Sequence, residues 1–233
     1  MDNSMHLKNK LAGRGKIFAT TVSCIGWTGI LQRFQNGILD MLIFDMEHGI
    51  LSLETVEGML RMCRILGIST VIRVPDVQYH LISQPIDMGA DGILVPRVET
   101  LEQAALAIQS IKFYPEGRKG CGGFSLFKKS ETIEDINSNR MLFLQIESPL
   151  GIDNLESILD KYEDKVDGII VGPADMSIMM ETPLQFSDKK LIEQVKRIIS
   201  ICGRYKKSCG IFCDNTEEIN FWRDMGMNII WSG

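Results

Sequence analysis

Short apolar runs recur along the chain, separated by stretches in which apolar residues repeat at helical spacing. The strand-like runs cover residues 17–23, 41–47, 70–75, 92–98, 142–148, 168–173, 209–213 and 228–231. Most are rich in Ile, Val, Leu or Phe and nearly continuous, as expected for parallel strands buried on both faces. Amphipathic segments at 53–66, 81–88, 100–113, 152–162, 189–205 and 217–225 fall between them. Ser52, with Thr55 and Glu57 behind it, marks one helix start, and Thr100 with Gln103 three residues on forms a capping box. Strands alternating with helices predict an α/β fold, a single (β/α)8 TIM barrel over residues 1–233. A doubly wound sheet is the alternative that the same alternation allows. The last strand runs into Ser232 and Gly233, so the last outer helix is expected to be missing. That gap predicts an apolar patch between the first and seventh outer helices, and either a truncated C-terminus or an edge covered by assembly.

Polar residues interrupt this pattern at the ends of the strands, where a barrel builds its active site. The second strand ends in Asp45-Met46-Glu47-His48-Gly49 and the third in Arg73-Val74-Pro75. The fourth ends in Pro96-Arg97, the fifth in Gln145-Ile146-Glu147, and the sixth in Gly172-Pro173-Ala174-Asp175. Asp175 taken alone could cap the next helix, Glu147 could form a structural ion pair, and His48 could be a bonded loop histidine. Arg73 in an apolar run needs an anionic partner, from the protein or from a substrate. Together, two carboxylates with a Gln between them make an oxygen-rich site for a hard divalent cation. An Arg suits a carboxylate or a developing oxyanion, and a His beside an Asp suits a general base. The combination points to proton abstraction beside a carbonyl, the chemistry of aldolases, decarboxylases and lyases acting on 2-oxo acids.

Composition narrows the classes further. Of 233 residues, 45% are hydrophobic and 24% charged, and the mean hydropathy is +0.04, which excludes disorder and fibrous repeats. No run approaches the roughly 18 apolar residues of a membrane span, and residues 1–16 lack a signal-peptide core, so a cytoplasmic protein without membrane partners is expected. A net charge of −5 without a basic block gives no reason to expect nucleic acid. The six cysteines form no CxxC pair and read as reduced thiols. The long Gly-rich stretch from residue 114 to about 140 reads as an active-site loop.

The motifs Asp-Met-Glu-His-Gly at 45–49, Arg-Val-Pro at 73–75 and Met-Gly-Ala-Asp-Gly-Ile-Leu-Val-Pro at 88–96 resemble the HpcH/HpaI aldolase family. So do Tyr-Pro-Glu-Gly-Arg-Lys-Gly at 114–120, Gln-Ile-Glu-Ser at 145–148 and Val-Gly-Pro-Ala-Asp-Met-Ser at 171–177. The resemblance implies a class II aldolase. Such an enzyme uses Mg²⁺, Mn²⁺ or Co²⁺ to cleave a 4-hydroxy-2-oxo acid to pyruvate, or a similar 2-oxo acid, and an aldehyde. It implies Glu147 and Asp175 as metal ligands, Arg73 as enolate stabiliser, His48 as acid/base and Asp45 as the residue that tunes or orients His48. Gln145 and the backbone at Gly172, Pro173 and Ala174 would bind the 2-oxo acid. Asp87 matches a position that can reach a neighbouring subunit's site in a trimer or hexamer. Lys119 stands where the family usually has Arg, and Glu181 where it commonly has Gly. A decarboxylase, a citrate-lyase-like enzyme and an inactive barrel serving as an interaction protein are the competing readings.

Overall fold

The computed structural model describes residues 3–35, 37–123, 126, 127 and 129–233. Eight parallel strands close into a barrel in sequence order: β1 (Ile17–Val22), β2 (Met41–Asp45), β3 (Thr70–Arg73), β4 (Gly92–Val95), β5 (Met141–Ile146), β6 (Gly168–Val171), β7 (Ser208–Cys213) and β8 (Ile229–Ser232). The barrel closes where β1 pairs with β8, Ala19 standing beside Trp231. Around it lie α1 (Asn3–Ala12), α2 (Leu53–Leu66), α3 (Tyr79–Met88), α4 (Leu101–Ile111), α5 (Ile133–Asn139), α6 (Pro149–Tyr162), α7 (Pro173–Met179), α8 (Lys189–Arg204) and α9 (Thr216–Asp224). The barrel, not the doubly wound sheet, is the observed fold.

Helix starts follow the expected chemistry. Ser52 accepts a hydrogen bond from the Thr55 amide at 3.2 Å, and Thr100 and Gln103 make the reciprocal capping box. Each such cap is worth about 1 kcal/mol. Ser148 and Asp188 cap α6 and α8 in the same way.

Two apolar clusters divide the interior. One joins the outward faces of the strands to the helices, with Leu42, Phe44, Ile72, Ile93, Leu142, Leu144 and Ile169 packed on Val56, Leu60, Ile108, Leu155 and Val195. The other fills the lumen with Ile17, Met41, Ile43, Val71, Leu94, Met141, Phe143, Ile170, Ile229 and Trp231. The lumen is plugged from below by Leu7 and Leu11 of α1, which lie one helical turn apart on the same face.

The strand period of two then decides what reaches the upper mouth. Positions 41, 43 and 45 of β2 share one face, as do 71 and 73 of β3 and 141, 143 and 145 of β5. In each the lower members are apolar lumen residues and the top one is polar.

Two segments without a predicted element are helical. Residues 3–12, with no predicted element, form the plugging helix. After β1 the chain makes a 3-10 turn at Thr28–Phe34. Among the described residues no helix follows β8, and Phe18 on the outer face of β1 is 43% exposed although its lumen neighbours Ile17 and Ala19 are buried. All six cysteines are unpaired, with Cys63, Cys202, Cys209 and Cys213 buried. Among the described residues no helix is long and apolar enough to cross a membrane.

Candidate active site

A cavity of about 1040 Å³ opens at the C-terminal ends of the strands. Asp45, His48, Arg73, Gln145, Gly172, Pro173, Ala174 and Asp175 all line it, with Thr21, Phe212 and Trp231. The sequence-based site residues therefore meet at one place, with two exceptions. Glu147 lies just behind the lining, bonded to Gln145, and Asp87 is elsewhere.

Arg73, the last residue of β3, stands in register with Asp45, the last of β2. Its Nε and Nη2 donate to Asp45 Oδ1 and Oδ2 at 2.9 and 2.6 Å, a bidentate pair. Burial opposes the charge on both groups, yet each holds the other ionised: Asp45 is shifted below and Arg73 above its ordinary value. The Asp45 carboxylate meets His48 only through the backbone, where the His48 amide donates to Oδ1 at 3.3 Å. The expectation that Asp45 orients His48 therefore changes: both carboxylate oxygens are taken by the Arg73 fork, and Asp45 orients Arg73. The His48 ring is exposed and has Glu47 as its acidic neighbour, Nε2 to Oε2 3.7 Å.

Glu147 is buried at the top of the lumen. It accepts the Gln145 side-chain amide and, at 2.8 Å, the backbone N–H of Arg97. Burial nonetheless pushes its carboxyl up to about 7, because these donors are neutral and Asp175 and Glu47 add negative charge. Asp175 sits in the first turn of α7, where Gly172 is the cap residue and no side chain caps, so the capping role considered for it is not taken up.

Three features fit a divalent cation at this point. The carboxylates of Glu147 and Asp175 lie in one another's field, and each disfavours the other's charge. Gln145 Oε1 is the one buried side-chain atom among the described residues with no hydrogen-bond partner. Turning that amide over would set Oε1 against the Glu147 carboxylate, so the orphaned oxygen is left for a guest. At Gly172 a Cβ would lie 2.0 Å from Glu147 Oε2, so any larger residue would fill the space that the carboxylate occupies. Among the described residues no cluster of three or more His, Cys, Asp or Glu forms a full cage. Two carboxylates leave positions for water and a chelating substrate.

Two participants lie outside the set picked from the sequence. Glu47, next to His48, has Arg73 Nη1 and Arg97 Nε each 3.6 Å from its carboxylate. Burial raises its pKa, against the pull of these cations. Arg97 adopts a left-handed φ of 52°, which aims its amide at Glu147, and its Nη2 donates to the Pro75 carbonyl at 2.9 Å. Such backbone costs about 1–2 kcal/mol for a non-glycine residue and gathers at functional sites. The signal for both was present in the strand-end motifs.

Asp87 falls near the C-terminal end of α3, away from the mouth, and its carboxylate pairs with the fully buried Lys119 amine. The loop after α4 is held against α3 and α4, with Gly120 N–H donating to Tyr79 Oη at 2.7 Å and Arg118 N–H to the Gln109 carbonyl at 2.9 Å. None of its described residues lines the cavity, so the expected active-site loop is instead an outer buttress; 124, 125 and 128 lie outside the described residues. Glu181 is exposed and off the cavity wall, and its left-handed φ of 62° is backbone that glycine adopts without strain.

The comparisons with known proteins place this barrel among aldolases and related carbon–carbon lyases. The model of the HpcH/HpaI aldolase/citrate lyase family matches residues 30–230, and the chain belongs to that family. It is 28% identical over 218 residues to a hydroxypyruvate/pyruvate aldolase of Roseovarius nubinhibens, covering 89% of this chain and 84% of the relative. It is 29% identical over 198 residues to a 5-keto-4-deoxy-D-glucarate aldolase of Salmonella paratyphi C, covering 83% and 77%. In fold it matches the crystal structure of an HpcH/HpaI aldolase from Desulfitobacterium hafniense with a TM-score of 0.90 at 24% identity, over 97% of this chain and 90% of that one.

Proposed function

We propose that the protein is a class II aldolase that reversibly cleaves a 4-hydroxy-2-oxo acid to pyruvate, or a similar 2-oxo acid, and an aldehyde. The observation that carries this reading is the orphaned Gln145 Oε1 beside the buried Glu147 carboxylate, facing the Arg73 fork across the mouth. Glu147 and Asp175 would hold a divalent cation, Mg²⁺, Mn²⁺ or Co²⁺. That cation, when bound, supplies Lewis-acid polarisation of the substrate's 2-oxo group.

The chain's own residues do the rest. The first-turn N–H groups of α7, at Ala174 and Asp175, have no intrahelical partners and would receive the substrate carboxylate; Gly172 allows the approach and Pro173 fixes the turn. Gln145 would sit beside the bound 2-oxo acid. Two nitrogens of Arg73 are on Asp45, and Nη1, 3.6 Å from Glu47 and so not hydrogen-bonded to it, would donate to the oxygen that becomes the enolate. His48, exposed at the rim beside Glu47, would take the proton of the 4-hydroxyl as the C3–C4 bond breaks and the electron pair passes into the enolate. Protonation at C3 then gives the 2-oxo acid. In the reverse direction the same groups serve in the opposite order.

Family membership and the aldolase names of both curated relatives support this assignment. A homo-oligomer, a trimer or hexamer, belongs to this reading by resemblance to the family. Pyruvate release from a panel of 4-hydroxy-2-oxo acids, with Mn²⁺ and with EDTA, tests the proposal. Release with Mn²⁺ that EDTA abolishes is expected; no release from any member with Mg²⁺, Mn²⁺ or Co²⁺ overturns it.

A further inference from the structure

Trp231 occupies an unusual place for so large a side chain. It is the upper lumen residue of β8, only 3% exposed, and β8 is separated from β3 by β1 and β2 around the barrel. Its indole nevertheless crosses the mouth to Arg73, whose Cζ lies 5.5 Å from the ring centroid. Two contacts fix the indole. Its Nε1–H donates to Thr21 Oγ1 at 2.5 Å, and Phe212 of β7 meets it edge-on, with centroids 5.3 Å apart at 83°.

Asp45 grips the guanidinium by one edge, through Nε and Nη2. A bidentate grip sets direction within the plane, and Glu47, at 3.6 Å from Nη1, is beyond hydrogen-bond reach, so the plane can still swing about that edge. The only aromatic face against this guanidinium among the described residues belongs to Trp231. We infer that Trp231 is the positioning residue of Arg73: the ring stops the swing and holds Nη1 toward the substrate oxygen. This inference rests on the proposed role of Arg73. The ring also forms part of the cavity wall, so its loss would let water reach the cation as well as loosen it.

A residue that merely fills the lumen would affect stability alone. The test therefore reads the guanidinium directly, in metal-free protein carrying ¹⁵N-arginine, with the Arg73 Nε–H signal assigned through Arg73→Lys. In the wild type that proton is expected upfield of the other arginine signals, displaced by the indole ring current. Trp231→Leu should return it to the ordinary position, Trp231→Phe should keep part of the displacement, and Thr21→Val, which only frees the indole, should reduce it. In parallel, kcat for exchange of the pyruvate methyl protons in D₂O with Mg²⁺ should fall about ten- to thirtyfold in Trp231→Leu, a loss that matches a desolvated cation–π contact. KM should change little, and Trp231→Phe should recover most of the rate. An undisplaced Arg73 signal in the wild type overturns the inference without any variant, which covers the case in which Trp231→Leu does not fold. Unchanged kcat in Trp231→Leu overturns it as well. Absence of exchange in the wild type with the displacement intact sinks the aldolase reading and leaves the Arg73 clamp standing.

Discussion

The two halves of the barrel mouth are built from the same strand geometry and opposite chemistry. On β2, β3 and β5 the upper lumen positions carry Asp45, Arg73 and Gln145, with Glu147 just beyond. On β7 and β8 the equivalent positions carry Phe212 and Trp231, paired in register. Phe186, Phe221 and Trp222 extend the apolar side outward from there. Burial that would be costly for an isolated charge is tolerated on the first half because Asp45 and Arg73 neutralise each other, and on the proposed function the Glu147 carboxylate would meet a cation. The second half needs no such compensation. It supplies a rigid, water-excluding wall against which the charged groups are worth more. On the proposed function, one half would hold the reacting groups and the other would set their orientation and dielectric.

The largest expected break in this division is Glu147→Gln, which keeps the shape and removes one of two anionic donors. Activity with Mg²⁺ should drop by more than the roughly 10- to 100-fold typical of outer-shell partners, and isothermal titration should show Mg²⁺ binding lost. Full binding by the variant would place the cation elsewhere.

Asp45→Asn comes next, because it strands a buried guanidinium. Denaturant unfolding at pH 7 should show a loss of about 3–5 kcal/mol. The sign of its pH dependence follows from Asp45 titrating below its ordinary value of 3.8. The stabilisation is complete above that pH and is lost as the pH falls through the lower folded value, so the gap between wild type and variant should close in acid. A gap that stays constant down to pH 2 would show that the pair is not ionic.

Arg73→Leu leaves the cation ligands intact and should lower kcat about 100- to 1000-fold with Mg²⁺ binding retained, the loss seen when an oxyanion donor is removed. Wild-type pyruvate proton exchange in that variant would remove the assigned role. Smallest is Phe221→Ala on the rim of the apolar half, a partly exposed residue. A change of about 1 kcal/mol or less in stability is expected, with an altered preference among aldehydes and no change in pyruvate proton exchange. Slowed exchange would mean that the two halves are not separable.

Much of the charged half was legible in the chain. Gln145-Ile146-Glu147 breaks an otherwise apolar strand at a period of two, and Arg73 stands at the end of an apolar run, so a site at the mouth follows from the alternation alone. Pair assignments were less accessible. Asp45 and His48 are near in sequence, but register sets Asp45 beside Arg73, 28 positions away. The Gly-rich stretch after α4 looks like a lid, and only tertiary contacts, Lys119 with Asp87 and Gly120 with Tyr79, turn it outward. Helix α1 shows just Leu7 and Leu11 as its apolar seam, too little periodicity to separate it from a polar tail. Trp231 reads as one more apolar strand residue, because its significance lies in which arginine it crosses the lumen to meet.

The most direct test of the division is ¹H NMR of pyruvate in D₂O with the wild-type protein, which asks for enolisation and no electrophile. Loss of the methyl signal with Mg²⁺, abolished by EDTA and absent in Glu147→Gln, is the predicted result. A methyl signal that persists with Mg²⁺, Mn²⁺ and Co²⁺, or that decays equally in EDTA, would contradict it.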